Sequence, residues 1–269
     1  MPKSLFVPSN RPRDFALEAG LGKSPGVSTV NKFGTAPDAD SGVPTDVWDG
    51  ADGVTSTDIW VAPTAARIHT IVSASDVDSD SGGSVAQGAG LRTLRVYYLP
   101  DWDTAEATED VVMDGTTGKA MVASAVMIHR MHGLTWGANG VNTGIITATA
   151  ATDSTITAMI TAGSNQTLMA IYGVPSIQTL SITHVGLTVL RTAGTVEATA
   201  ELLVNTAADT DPDAFLVKDS YSLTENAPLD EDYTPYKVFT GPLIAKLQVT
   251  TNTNNSVVTG RFDAYVTTN

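Results

Sequence analysis

From Arg67 onward, short apolar runs alternate with clusters of Gly, Asn, Asp and Ser. In residues 195–205, Val196, Ala198, Ala200, Leu202 and Val204 recur at every second position. In 256–266, Val258, Gly260, Phe262, Ala264 and Val266 do the same. A period of two places such residues on one face of a strand. Comparable β-branched segments occupy 67–74, 91–99, 109–113, 119–124, 126–134, 144–150 and 155–160. After a turn at 163–166 they resume at 167–174, 179–191, 214–217, 237–240 and 244–251. This spacing predicts an all-β protein with a β-sandwich or jelly-roll-like body.

The turn near 163 splits the strands into two sets. It predicts an extended N-terminal arm over 1–45, one β-sandwich module over 46–163 and a second over 164–269. One continuous large sandwich fits the same pattern, and no fixed-period repeat links the halves. Pro2, Pro8, Pro12 and Pro25 keep residues 1–26 extended, apart from a short helix expected around 14–21. Residues 27–33 read as one short strand. Residues 27–66 are otherwise irregular and rich in Asp, Pro and Gly.

Composition narrows the function classes. The formal net charge is −14, which argues against a nucleic-acid partner. Residues 1–34 carry Lys3, Arg11, Arg13, Lys23 and Lys32 against Asp14 and Glu18, a net of +3 that leaves −17 for the rest. A basic arm on an acidic body suits docking on an acidic neighbour. The chain has no cysteine, so disulfides, thiolate metal sites and Cys nucleophiles are excluded. The N-terminus lacks the apolar core of a secretory signal, and no segment has the apolar length of a membrane span, so no membrane partner is expected.

Candidate chemistry is sparse. Asp76, Asp78 and Asp80 are spaced like the start of a calcium loop, but Ser81 and Gln87 stand where an EF-hand needs Gly and Glu. A solvated hairpin tip is the competing reading, and no metal or other cofactor is expected. His129 and His132 lie three apart on a predicted strand and so point to opposite faces. There is no HExxH, no GxSxG and no P-loop lysine after the Gly-rich 137–144. The acidic pairs and triplets at 101–103, 209–213 and 230–232 sit among turn residues and read as solvated loops. With aromatics at 6%, little surface is available for stacking on sugar rings. No catalytic residue is assigned. Trp48 and Trp60 anchor the irregular segment, either to the body of the chain or to another subunit.

Several pieces occur in a recognisable order: NKFG at 31–34, DVWDG at 46–50, PTAARIHTIVSAS at 63–75 and GLRTLRVYYL at 90–99. DGTT at 114–117, the HRM run at 129–131, NTGIITATA at 142–150 and NQTLMAIYGVP at 165–175 follow. Together they resemble a family of virion structural proteins of tailed bacteriophages, especially marine ones, over roughly residues 30–200. The resemblance implies a non-enzymatic particle component, assembled in the host cytoplasm and residing in the virion. A capsid cement or decoration protein fits best, seated on the capsid surface as a homotrimer and bound to the major capsid protein. Its partner-binding residues would be Phe6, Arg11, Arg13 and Phe15 in the arm, with Phe33, Trp48 and Trp60 in the anchor segment. The alternatives are a head–tail or tail component (tube, fibre base or knob) and a receptor- or carbohydrate-binding β module.

Overall fold

The computed structural model describes residues 15–53, 57–191, 195–225 and 227–269. Within them the chain forms one short helix, α1 (Phe15–Gly20), and sixteen strands arranged as antiparallel sheets, an all-β sandwich-like fold. Seven strands lie between Arg67 and Ile160: β3 (Arg67–Ser73), β4 (Leu91–Leu99), β5 (Ala107–Val112), β6 (Lys119–Ala125), β7 (Met127–Trp136), β8 (Ile146–Ala150) and β9 (Ile156–Ile160). They make a four-stranded sheet, β6-β3-β8-β9, and a three-stranded sheet, β5-β4-β7. Leu94, Val96 and Met131 from one and Ile71, Ile146 and Ala148 from the other are buried.

The second sandwich takes strands from both ends of the chain. It uses β1 (Val27–Ala39), β2 (Thr45–Asp46), β10 (Ile171–Val174), β11 (Gln178–Arg191), β12 (Glu197–Asn205), β13 (Leu216–Thr224), β14 (Leu229–Thr240), β15 (Leu243–Thr251) and β16 (Ser256–Thr268). One sheet runs β1-β16-β11-β14, and the other runs β10-β15-β12-β13 with β2 added on β15. The alternating residues expected inside do face inward: Val196, Ala200, Leu202, Val204, Val258, Phe262 and Val266 are all buried. Each large side chain buried this way contributes roughly 1.5–3 kcal/mol. The buried residues of both sandwiches belong to one continuous apolar cluster.

Two parts of the fold differ from the sequence reading. Residues 27–33, read as one short strand inside the arm of 1–45, do form a strand, but β1 runs on to Ala39 and pairs with β16 from Val27↔Thr267 to Ala39↔Ser256. The inward positions of β1 include Lys32, Gly34 and Ala36, too small or too polar to give an apolar alternation. Gly34 has no room for any side chain, because a Cβ there would lie 2.3 Å from the Val47 carbonyl oxygen and 2.5 Å from Ala170 N. The strands β13 and β14 also run longer than the apolar stretches at 214–217 and 237–240. They are the edge strands on one side of the sandwich and are largely exposed on both faces, so their sequences carry no period-two signal.

Candidate functional site

The outer face of the β1-β16-β11-β14 sheet is built by cross-strand pairs. Thr29 stands opposite Tyr265 and Phe33 opposite Arg261. Residues four apart on a strand share a face, about 13 Å apart. At the first pair the helix α1 places Phe15 against Tyr265, ring centroids 5.1 Å apart, while Tyr236 of β14 approaches Tyr265 at 6.2 Å. Phe15 and Tyr236 each remain 51% exposed, and Leu17, Leu21 and Val238 are exposed as well. This is an apolar, aromatic surface rather than a scatter of single residues.

At the second pair the face dips into a groove of about 380 Å³ lined by Phe33, Gly186, Thr188, Leu229, Thr259 and Arg261. Gly186 presents no side chain, and a Cβ there would lie 3.1 Å from Arg261 Nε. One wall is charged. His184 Nδ1 lies 2.9 Å from Asp232 Oδ1 and its Nε2 lies 3.0 Å from Asp230 Oδ1, and Arg261 Nη2 reaches Asp230 at 3.3 Å. The Arg130 guanidinium lies 5.3 Å from the centroid of the Phe33 ring, a cation–π arrangement.

A second cleft, about 320 Å³, opens where the two sandwiches meet and is lined by Lys32, Tyr97, Glu106, His129, Arg130 and Tyr172. Lys32 crosses from β1 and donates to the carbonyl of His129 on β7. Its amine is lowered to about 7, first by burial and then by Arg130, with Glu106 and Asp49 pulling the other way. Burial also depresses the His129 imidazole, although the Glu106 hydrogen bond opposes the shift. For Glu106, burial works upward but the bond to His129 prevails, so the carboxyl sits below its ordinary range. Both shifts agree with a neutral imidazole donating Nδ1–H to a carboxylate. A buried amine titrating near neutrality is reactive in principle. Here one of its N–H groups is held by a backbone carbonyl of the first sandwich, which suits a joint between the two.

The three aspartates of the DVDSDSG run have separate structural tasks. Asp78 is fully buried and accepts from Ser73 Oγ (2.7 Å), Leu91 N (2.9 Å), Thr143 N (2.8 Å) and Gly144 N (2.8 Å). It clasps the start of β4 and the NTG turn to the end of β3. Asp76 accepts from Thr116, and Asp80 from Ser81 N and Gln87 Nε2. Asp114 accepts from Ser84 N and Val85 N and pairs with Lys119; these donors hold its carboxyl down to about 2. The carboxylates spaced like the start of a calcium loop are thus turned to backbone and side-chain donors. Among the described residues no group of three or more His, Asp or Glu could hold a metal. No helix among them is long and apolar enough to cross a membrane.

Of the expected partner-binding residues, Phe6, Arg11 and Arg13 lie outside the described residues. Phe15 and Phe33 share the outer sheet face, at cross-strand pairs four residues apart. Trp48 and Trp60 do not join them: they are 0% and 2% exposed. Trp48 Nε1 donates to Thr57 O at 2.9 Å and Trp60 Nε1 to Thr157 O at 2.8 Å. The structure therefore gives both tryptophans the intramolecular anchoring role and corrects their assignment to a partner surface, because a side chain without accessible area cannot touch another subunit. Sequence reasoning missed Tyr236 and Tyr265; the exposed Tyr-Lys-Val-Phe run at 236–239 was the available signal. Comparison with protein-family models and with curated proteins found no match to this chain.

Proposed function

We propose that this chain is a non-enzymatic structural protein of a tailed-phage particle, a capsid cement or decoration protein that bridges capsomers of the expanded head. The observation that carries the reading is a shared position. Phe15, Tyr236, Tyr265 and Phe33 occupy one sheet face, and in the sequence Phe15 directly follows the basic residues 1–14. An aromatic face whose Phe15 follows a basic sequence suits a partner surface that is apolar at its centre and acidic at its margin. The partners are the major capsid protein and further copies of this chain, as a homotrimer. The mechanism is mechanical: an added subunit buries new interface across a capsomer boundary and favours the assembled shell by mass action.

Two measurements test it. Quantitative mass spectrometry of purified particles should find this chain at near-stoichiometric abundance relative to the major capsid protein. A few copies per particle would move the assignment to a head–tail or tail component, and absence would end the virion reading. Binding to expanded capsids should then weaken in a chain lacking residues 1–26, which keeps β1 whole.

A further inference from the structure

Lys246 and Asp46 meet in a fully enclosed part of the second sandwich. They lie on the paired strands β15 and β2, where Gln248 stands opposite Asp46. Lys246 is the next residue on the same face of β15, so its side chain reaches Asp46 diagonally. Its Nζ lies 2.6 Å from Asp46 Oδ2, and the two side chains are 3% and 0% exposed. The Phe215 ring covers the amine, its centroid 4.3 Å from Nζ. Asp46 receives two further donors, Gln248 Nε2 on Oδ1 at 2.9 Å and the Trp60 backbone N–H on Oδ2 at 2.8 Å.

Keeping an ammonium and a carboxylate in such a place costs each ion its hydration. Passing one proton from Lys246 to Asp46 removes both charges. Burial does push the Asp46 carboxyl upward, against the opposing pull of Lys246, Gln248 and Trp60. In that proton-transferred form the pair is an amine held against a carboxylic acid, which can form an amide. We propose that Lys246 and Asp46 condense into an intramolecular isopeptide bond that staples β15 to β2.

The step balances without a co-reactant. The Nζ lone pair attacks Cγ of Asp46 and forms the C–N bond. Nζ gives one proton to Oδ2, the C–Oδ2 bond breaks, and one water leaves. Nothing is oxidised or reduced. Gln248 Nε2 donates to Oδ1, the oxygen on which negative charge collects in the tetrahedral intermediate. Permanent contact replaces encounter, an advantage of roughly 10⁵–10⁸ M in effective molarity. The product trades two buried ions for a neutral amide. It also closes a chain segment of 200 residues in a protein that has no cysteine for a disulfide, restricting the unfolded chain as a disulfide does.

The test is the mass of the denatured full-length chain. It should be lighter than the sequence mass by one water, and a digest should yield a branched peptide joining the segments that carry Asp46 and Lys246. Lys246→Met should restore the full mass. A wild-type chain of full sequence mass means an ordinary buried ion pair and overturns the proposal. So does a water loss that persists in Lys246→Met, since that would mark a succinimide instead. The wild-type digest decides the matter even where the variant does not fold.

Discussion

Trp60 donates its indole N–H to the carbonyl of Thr157 at 2.8 Å, which fastens the segment after β2 to the first sandwich. Thr157 belongs to β9 of the first sandwich, while the backbone N–H of Trp60 is held by Asp46 of β2 in the second. One residue, through its indole and its backbone, thus ties the segment after β2 to both bodies. Trp60→Ala removes a buried ring and leaves the Thr157 carbonyl without that donor. The expected cost is about 3–5 kcal/mol, read as a lower urea midpoint. Trp60→Phe keeps most of the packing and should lose about 1–2 kcal/mol. An Ala variant as stable as the parent would refute the clamp.

Asp78 is the equivalent hub of the first sandwich. Four donors from three chain segments converge on one buried carboxylate. Asp78→Ala strands those donors and should destabilise by about 3 kcal/mol or more. Asp78→Asn keeps the size and some of the acceptor capacity, so its loss should be smaller. Calcium titration monitored by thermal melting should leave the midpoint unchanged; a marked rise would return these aspartates to a metal site.

The Lys32 amine supplies a pH dependence of definite sign. Its ordinary value is 10.5 and its value in the fold is about 7. The unfolded chain therefore binds more protons than the folded one between those limits. Stability should rise with pH through that window, by at most about 1.4 kcal/mol per pH unit from this group. Asp49, raised by burial to about 7, titrates below the window. Denaturation at about pH 7.5 and pH 9.5 measures the rise, and Lys32→Met should flatten it. An equal rise in the variant would place its source elsewhere.

The aromatic face separates folding from docking. Phe15 and Tyr236 are half exposed, so Phe15→Ser and Tyr236→Ser should each change stability by less than about 1 kcal/mol. On the proposed reading, both should weaken attachment to expanded capsids, and the double variant more than either single one. Unchanged attachment would remove this face from the interface.

The period-two runs in β12 and β16 made the all-β fold legible, because β16 and the first half of β12 bury one face and leave the other more open. The strands β4 and β11 were equally plain. By contrast, β1 hides its inward face behind lysine, glycine and alanine, and β13 and β14 expose both of theirs. The turn near 163 marked where one set of strands ends, but not that β1 and β2 return to the second sandwich. That recruitment is long-range pairing, such as Val27 with Thr267, which local sequence does not encode.

The site divides in the same way. Phe15 and Phe33 were readable as apolar residues in a polar, Pro-rich region, and their common face came from pairing with Tyr265 and Arg261. Trp48 and Trp60 looked just as available, yet burial decided against them. The sequence alone determined composition, the absence of thiol chemistry, strand periodicity and the acidic balance, because these depend on residue identity and near neighbours. Tertiary structure alone decided which aspartates face backbone donors, which tryptophans are enclosed, and that Lys246 lies against Asp46. Those outcomes depend on which distant segments share one desolvated space.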